Sequence, residues 1–240
     1  MSAVDLEISG EVATIWLARP DARNALNLEM CEQLFAAANR IGSEKEIRVV
    51  LVRGKGSAFC AGADLKERAG KTKEWVRARR LKAFEAYNAI EALPLPVIAV
   101  VHGPAIGAGV EIVAICDFAV ATPEAVFGTP ETLRGSVGAT QRLPRIIGKR
   151  LAKDMMFTGR KLGAQEALQA GLLSRIVEKE DLENIVSQIA KTISEAPALG
   201  MRLAKRCIDR GVELDPKGAQ DVEIEAIDEQ LATGKWMGSS

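Results

Sequence analysis

The chain has 240 residues, 48% hydrophobic and 27% charged, which is enough to bury one full-sized core and too apolar for a disordered or fibrous protein. Lys plus Arg and Asp plus Glu are equal at 32 each, so no global field draws the chain onto nucleic acid or an anionic membrane, and any anion site must be local. The longest apolar runs, 95–101 and 110–115, fall well short of the ~20 residues of a membrane helix, and no basic segment followed by an apolar one opens the chain, so the expected location is cytoplasmic.

Taken in chain order, short β-branched runs alternate with stretches of helical period. The run Val12–Leu17 precedes an amphipathic stretch at 28–40, the run 49–52 precedes one at 81–92, and Val97–Val101 precedes one at 110–115. Asn27 is a good N-cap for the first helix, and Pro94 and Pro96 end the second before the next strand begins. This alternation predicts an α/β fold. From Gln141 onward the pattern turns helical, with a 3.6-residue period at 164–170, 182–193, 199–209 and 219–231, so this half is expected to pack helices and not to pair strands. Pro197 marks the expected boundary between a core unit, 1–195, and a C-terminal helical region, 196–240, suited to subunit contacts. There is no fixed-period repeat, low-complexity tract or long polar linker.

The segment 70–82 carries Lys71, Lys73, Arg77, Arg79, Arg80 and Lys82 against one acid, Glu74, and reads as a solvated helix face or a mobile lid. Cys31, Cys60, Cys116 and Cys207 lack any C-x-x-C spacing and read as reduced thiols. With His102 the sole histidine, no metal site is expected, and nothing at a familiar spacing orients that ring as a base.

Two glycine-bearing turns follow strand-like runs: Phe59-Cys60-Ala61-Gly62-Ala63-Asp64-Leu65-Lys66, and His102-Gly103-Pro104-Ala105-Ile106-Gly107-Ala108-Gly109-Val110-Glu111. Both offer backbone donors. In the second, residues 107–109 open a helix whose first N–H groups lack internal partners and whose dipole favours negative charge. Ile112 stands where a dinucleotide fingerprint would need its third glycine, so a nicotinamide cofactor is not expected. Taken alone, Gly-Ala-Gly is also what a tight strand-to-helix turn uses for packing. Glu111 is more informative: it lies three residues after Ala108, on the same side of the helix, in an otherwise apolar stretch, and a carboxylate there must be paired or functional. Pro130-Glu131, after Phe127-Gly128-Thr129, sets a second carboxylate beside a strand end. Two carboxylates near backbone donors point to general acid–base chemistry. The structural alternatives are a salt bridge from Glu111 to Arg134 or Arg142, and a turn or helix-start role for Glu131.

Through Arg23-Asn24-Ala25-Leu26-Asn27, the turn at 58–65, Pro96-Val97-Ile98-Ala99, the turn at 103–111, Cys116-Asp117, Pro130-Glu131, Thr140-Gln141-Arg142-Leu143 and Phe157-Thr158-Gly159, the sequence resembles the enoyl-CoA hydratase/isomerase, or crotonase, superfamily over almost its whole length. The resemblance implies a crotonase (ClpP-like) spiral of repeated ββα units with a helical C-terminal region that builds a homotrimer or a dimer of trimers. It implies an oxyanion hole from the N–H groups of Ala63 and Ala108. It implies coenzyme A or substrate contacts at Ala22, Arg23, Ala25, Ala61, Ala63, Asp64, Leu65, Lys66, Gly107 and Ala108. Glu111 and Glu131 would hold a water and shuttle its protons.

The implied reaction is reversible syn hydration of a 2-enoyl-CoA to a 3-hydroxyacyl-CoA, a lyase step of fatty acid β-oxidation in which coenzyme A belongs to the substrate and no separate cofactor is needed. Two other readings stand beside it. One is an isomerase using a single glutamate. The other is a low-activity RNA-binding protein, prompted by the basic segment 71–82 and the missing C-terminus. Against it, net charge is zero and few aromatics interleave the basic residues, so the segment is expected to serve coenzyme A access through Arg77, Arg79 and Arg80. Residues 59–68, 201–205 and 211–215 are most like methylglutaconyl-CoA hydratases that also bind AU-rich RNA, a likeness that bears on the substrate. Two departures from the family pattern matter. The loop 132–139 is shorter than the family's glycine-rich loop, and the expectation is that Pro130 keeps Glu131 in position. The family's final helix, with its aromatic–lysine motif, is expected to be cut short at Ser240.

Overall fold

The computed structural model describes residues 2–234, and the expectation for the final helix falls on 235–240, outside the described residues. Strands β1 (Val4–Ser9) and β2 (Val12–Leu17) form an antiparallel hairpin turned at Gly10. From β2 onward one motif recurs: a strand in a main sheet, a short extended piece in a second ladder, then helix. β2 leads through Leu26 to α1 (Leu28–Ser43), and β3 (Val49–Gly54) leads through residues 60–63 to α2 (Leu65–Arg68) and α3 (Lys73–Glu91). β4 (Val97–Val101) leads through β5 (Ala105–Ile106) to α4 (Ala108–Ala114). β6 (Phe118–Ala121) leads through β7 (Val126–Gly128) to α5 (Leu143–Ile147) and α6 (Lys149–Thr158). The chain continues as β8 (Lys161–Gly163), α7 (Ala164–Gln169), β9 (Arg175–Ile176), α8 (Leu182–Glu195), α9 (Ala198–Gly211) and α10 (Pro216–Ala232).

The main sheet runs β1-β2-β3-β4-β6-β9, parallel from β2 on. The second ladder climbs through the Leu26–Ala63 and Cys60–Ala105 bridges to β5-β7-β8. This is the expected ββα spiral. Its turns begin at Val12, Val49, Val97 and Phe118, so unevenly spaced that no fixed period shows in the sequence.

Alternation along the strands divides the core. Val50, Val52, Val97, Ala99 and Val101 face the main cluster, while Val49, Leu51, Ile98, Val100 and Val120 face outward and are covered by Leu182, Val186 and Ile189 of α8. Helix α1 starts where expected, with the Asn27 side chain accepting from Met30 N–H at 3.0 Å.

Two expectations need correction. The second half does pair strands: β8 joins β7 antiparallel and β9 joins β6 parallel. Both are three residues or fewer, too short to display a period of two. The segment 70–82 is mostly the first half of α3, which is capped by Thr72 and runs for 19 residues. Arg79 and Arg80 on it are partly buried, not part of a fully solvated face.

Pro197 caps α9, which packs with α10 around Leu203, Val222 and Ala226, while Ile208, Val212 and Ile224 remain exposed. Lys205 ties α9 to the body, with Nζ 2.9 Å from Asp117 and 3.1 Å from Leu95 O.

Asn24 joins the first two turns of the spiral. It is fully buried at φ 56°, its Nδ2 donates to Lys55 O and Ala58 O at 2.8 Å each, and its Oδ1 accepts from Arg19 N–H at 2.9 Å. Asparagine tolerates this left-handed backbone better than other residues with a Cβ. Asn24→Ala removes every one of these partners and should cost roughly 3 kcal/mol in a urea-unfolding comparison. A loss under about 1 kcal/mol would mean that water takes over from the amide.

Candidate active site

Residues 60–63 lie between two neighbours. On one side Cys60 N–H donates to Pro104 O at 3.1 Å and Ile106 N–H donates to Cys60 O at 2.8 Å. On the other, Leu26 N–H donates to Gly62 O at 2.8 Å and Asp64 N–H to Leu26 O at 2.9 Å. A parallel bridge of this kind uses the groups flanking Ala63 and leaves Ala63's own N–H out of the ladder. Gly62, at φ 99°, permits the approach, since a Cβ there would lie 3.0 Å from Ile106 O and 4.0 Å from Ala108 N.

Ala108 is the first residue of α4, so its N–H has no carbonyl one turn earlier to receive it. Gly109 lets the helix start against the ladder, where a Cβ would meet Cys60 O at 2.5 Å. Ala63 and Ala108 both line one cavity of about 370 Å³.

Both glutamates line the same cavity. Glu111, in the first turn of α4, accepts from Ala139 N–H at Oε1, 2.9 Å away. Neither arginine named as an alternative partner takes it: Arg142 pairs with Glu91 at 2.7 Å and Arg134 is exposed. Burial raises the Glu111 carboxyl above the usual range, against the Ala139 N–H and the charges of Arg80, Arg142 and Arg79.

Glu131 stands at the head of a 3-10 turn (Thr132–Arg134) but makes no side-chain cap. Its carboxyl lies instead against two glycines. A Cβ on Gly107 would be 2.1 Å from Oε1, and one on Gly138 would be 3.1 Å from it. Burial raises this carboxyl too, the Glu111 charge adds to the rise, and Oε2 is buried without a protein partner. The short loop 132–139 does not carry Glu131 out of the cavity.

Of the expected coenzyme A contacts, Ala61, Ala63, Asp64, Leu65, Gly107 and Ala108 line the cavity, whereas Ala22, Arg23, Ala25 and Lys66 do not. Arg23 lies behind the wall, its carbonyl accepting from Ala61 N–H at 2.9 Å. The Asp64 carboxylate is committed to structure: it caps α2 through Lys66 N–H and Glu67 N–H and pairs with Arg19 at 2.9 Å. His102 Nε2 bonds to Gly56 O at 2.8 Å, away from the cavity.

The far wall comes from α3, where Arg79 and Arg80 of the basic segment line the cavity and Arg77 does not; Trp75, Phe84 and Tyr87 beside them were not anticipated. Nor was Ala139 as the donor to Glu111. Helical spacing of Val76, Ala83 and Tyr87 was a usable signal for the first. Nothing local signals the second, since Ala139 sits at φ 54°, a backbone state alanine rarely adopts.

The model of the family described as enoyl-CoA hydratase/isomerase matches residues 7–234. The chain belongs to that family. It is 36% identical over 240 residues to the short-chain-enoyl-CoA hydratase of Clostridium acetobutylicum, covering 97% of this chain and 91% of the relative. The crystal structure of an enoyl-CoA hydratase from Bacillus anthracis superposes with a TM-score of 0.91 at 37% identity, covering 94% of this chain and 90% of the other. One from Mycobacterium smegmatis gives 0.91 at 32% identity, covering 99% and 92%. The crotonase fold is therefore established for this chain, and its family implies an acyl-CoA substrate.

In this family member the buried glutamates oppose stability. A folded-state pKa above the ordinary 4.5 means that the fold gains from the bound proton below that value and loses the gain as pH rises through the folded pKa. Glu111→Gln keeps the acceptor for Ala139 N–H without the charge. It should melt higher than the wild type near about pH 7, with the difference vanishing near about pH 4. Differential scanning calorimetry at both pH values checks this, and equal melting at about pH 7 would mean that Glu111 is compensated in place.

Proposed function

We propose that the protein catalyses reversible syn hydration of a 2-enoyl-CoA to a 3-hydroxyacyl-CoA. The observation that carries this is one cavity in which two carboxyls of raised pKa face two backbone N–H groups without protein acceptors. The thioester carbonyl would accept from Ala63 and Ala108 N–H. As water attacks C3, Glu111 takes one of its protons and the π electrons move to the thioester oxygen, whose charge the two donors stabilise. One such donor is worth roughly 3 kcal/mol because it meets charge that exists only along the reaction path.

Glu131 then delivers its proton to C2, and exchange with solvent resets both carboxyls. Burial, and after it the Glu111 charge, raise the Glu131 carboxyl, which is the direction a proton donor beside a base needs. Isomerisation needs one mobile proton and one glutamate. The packing of Glu131 against Gly107 and Gly138 favours the two-carboxylate reading. Arg79 and Arg80 line the cavity beside both glutamates, which supports a role for them at this site ahead of the RNA-binding reading. We propose further that the exposed apolar residues of α9 and α10 are covered in a homotrimer or a dimer of trimers, which light scattering would detect as three or six times 25.7 kDa.

The test is incubation of the purified chain with crotonyl-CoA, 3-methylglutaconyl-CoA and a 3-enoyl-CoA while enoyl absorbance and products are followed. Hydration of a 2-enoyl-CoA is the expected result. A shifted double bond from the 3-enoyl-CoA with no hydration would replace this reading by the isomerase. Glu111→Gln and Glu131→Gln should each lower kcat by about two orders of magnitude or more. The double variant should be little worse than either, because groups acting as one unit lose activity non-additively. Near-additive losses would sink the shared-water mechanism.

A further inference from the structure

We propose that Arg80 is the positioning residue for both glutamates, acting through residues 137–139 as a clamp between α3 and the cavity. Three consecutive residues carry the argument. Val137 O accepts from Arg80 Nη2. Gly138 lies against Glu131, where a Cβ would be 3.0 Å from Cγ and 3.1 Å from Oε1. Ala139 N–H donates to Glu111 Oε1 at 2.9 Å. A displacement of this stretch would move the supports of both carboxylates together.

Apolar packing anchors the loop at its end, where Ala139 is buried in the main core, but Leu133 and Val137 are 60% and 62% exposed and Gly135 gives a left-handed turn at φ 66°. Between those points its supports are polar: Ser136 N–H to Glu131 O at 2.9 Å, Ala139 N–H to Glu111, and the Arg80 bond to Val137 O. Ala139 at φ 54° adds a strained residue that such contacts must keep in place. On the helix side the Arg80 guanidinium lies 5.8 Å from the centre of the Phe84 ring, which restricts its swing.

Charge points the same way. The charged and titratable groups facing Glu111 are Arg79, Arg80 and Tyr87 from α3, Arg142 from the N-cap of α5, and Glu131. Arg79 is paired with Glu67 and Arg142 with Glu91. Among the described residues Arg80 has no carboxylate within ion-pair distance, so its charge is left to act on the glutamates.

The kinetic arm of the test rests on the hydratase reading; the exchange arm does not. In Arg80→Met, hydrogen exchange across 132–140 should accelerate about tenfold with the rest of the chain unchanged. With crotonyl-CoA, kcat should fall about tenfold or more while KM moves less than about threefold, because the supports of the reacting groups have shifted. Loss of the cation raises carboxyl pKa values, so the acid limb of the kcat profile should move up by about half a unit or more. Arg80→Lys should return that limb without restoring full kcat, and added guanidinium should partly rescue Arg80→Met. Unchanged exchange, or a rise in KM alone, would overturn the clamp. If the wild type hydrates nothing, the hydratase reading fails while exchange still decides the clamp.

Discussion

The pairing of residues 60–63 with residues 104–106 is the constraint on which the site depends. The two segments are remote in sequence, and each ends where a helix begins, so their alignment sets two N–H groups, Ala63 and Ala108, in one wall. Close backbone approach makes the alignment possible. Gly62 and Gly109 stand where a Cβ would strike Ile106 O or Cys60 O. The buried Asn24 ties the turn at 23–24 to the turn leaving β3, and Arg19 reaches Asp64 across the same gap, so the second ladder is held from behind by polar contacts as well as by the apolar core.

The cavity contrasts with this well-satisfied frame. Asp64 and Glu67 along its wall are capped or paired, yet Glu111 receives one backbone N–H and Glu131 keeps a buried oxygen without a partner. Burying ionisable groups this sparsely works against folding, and the raised pKa values express that cost. The same upward direction suits a carboxyl that has to hold and release a proton. The spiral holds the carboxyls in place: Glu111 in the first turn of a helix buried at Val110, Ile112 and Val113, and Glu131 after Pro130 at the head of the 3-10 turn, packed against Gly107 and Gly138.

Elements with a strong local signal were legible in advance. Val97–Val101 was read with its observed bounds, Asn27 caps its helix, and the four C-terminal periods became α7 to α10 with shifts of a few residues at their ends. The short strands β8 and β9 were not legible, because two or three residues carry no measurable alternation and their pairing is supplied by β7 and β6. The basic run at 70–82 divides: Lys71, Lys73, Arg77 and Lys82 are exposed, while Arg79 and Arg80 line the cavity. Composition alone cannot tell a guanidinium facing solvent from one turned toward Leu26 O or Val137 O.

By itself the sequence determined the chemical inventory: two glycine turns able to expose backbone donors, an acid in an apolar helix start, a second acid after Pro130, and no excess of charge. Those are local properties, set by φ freedom, helix termini and the cost of burying a carboxylate. Only the tertiary structure decided that these pieces share one cavity, that α3 supplies its far wall, and that Ala139 turns its N–H to Glu111. The reason is physical: such contacts join segments tens of residues apart, and their distances are set by how the turns of the spiral stack, which no local pattern of residues encodes.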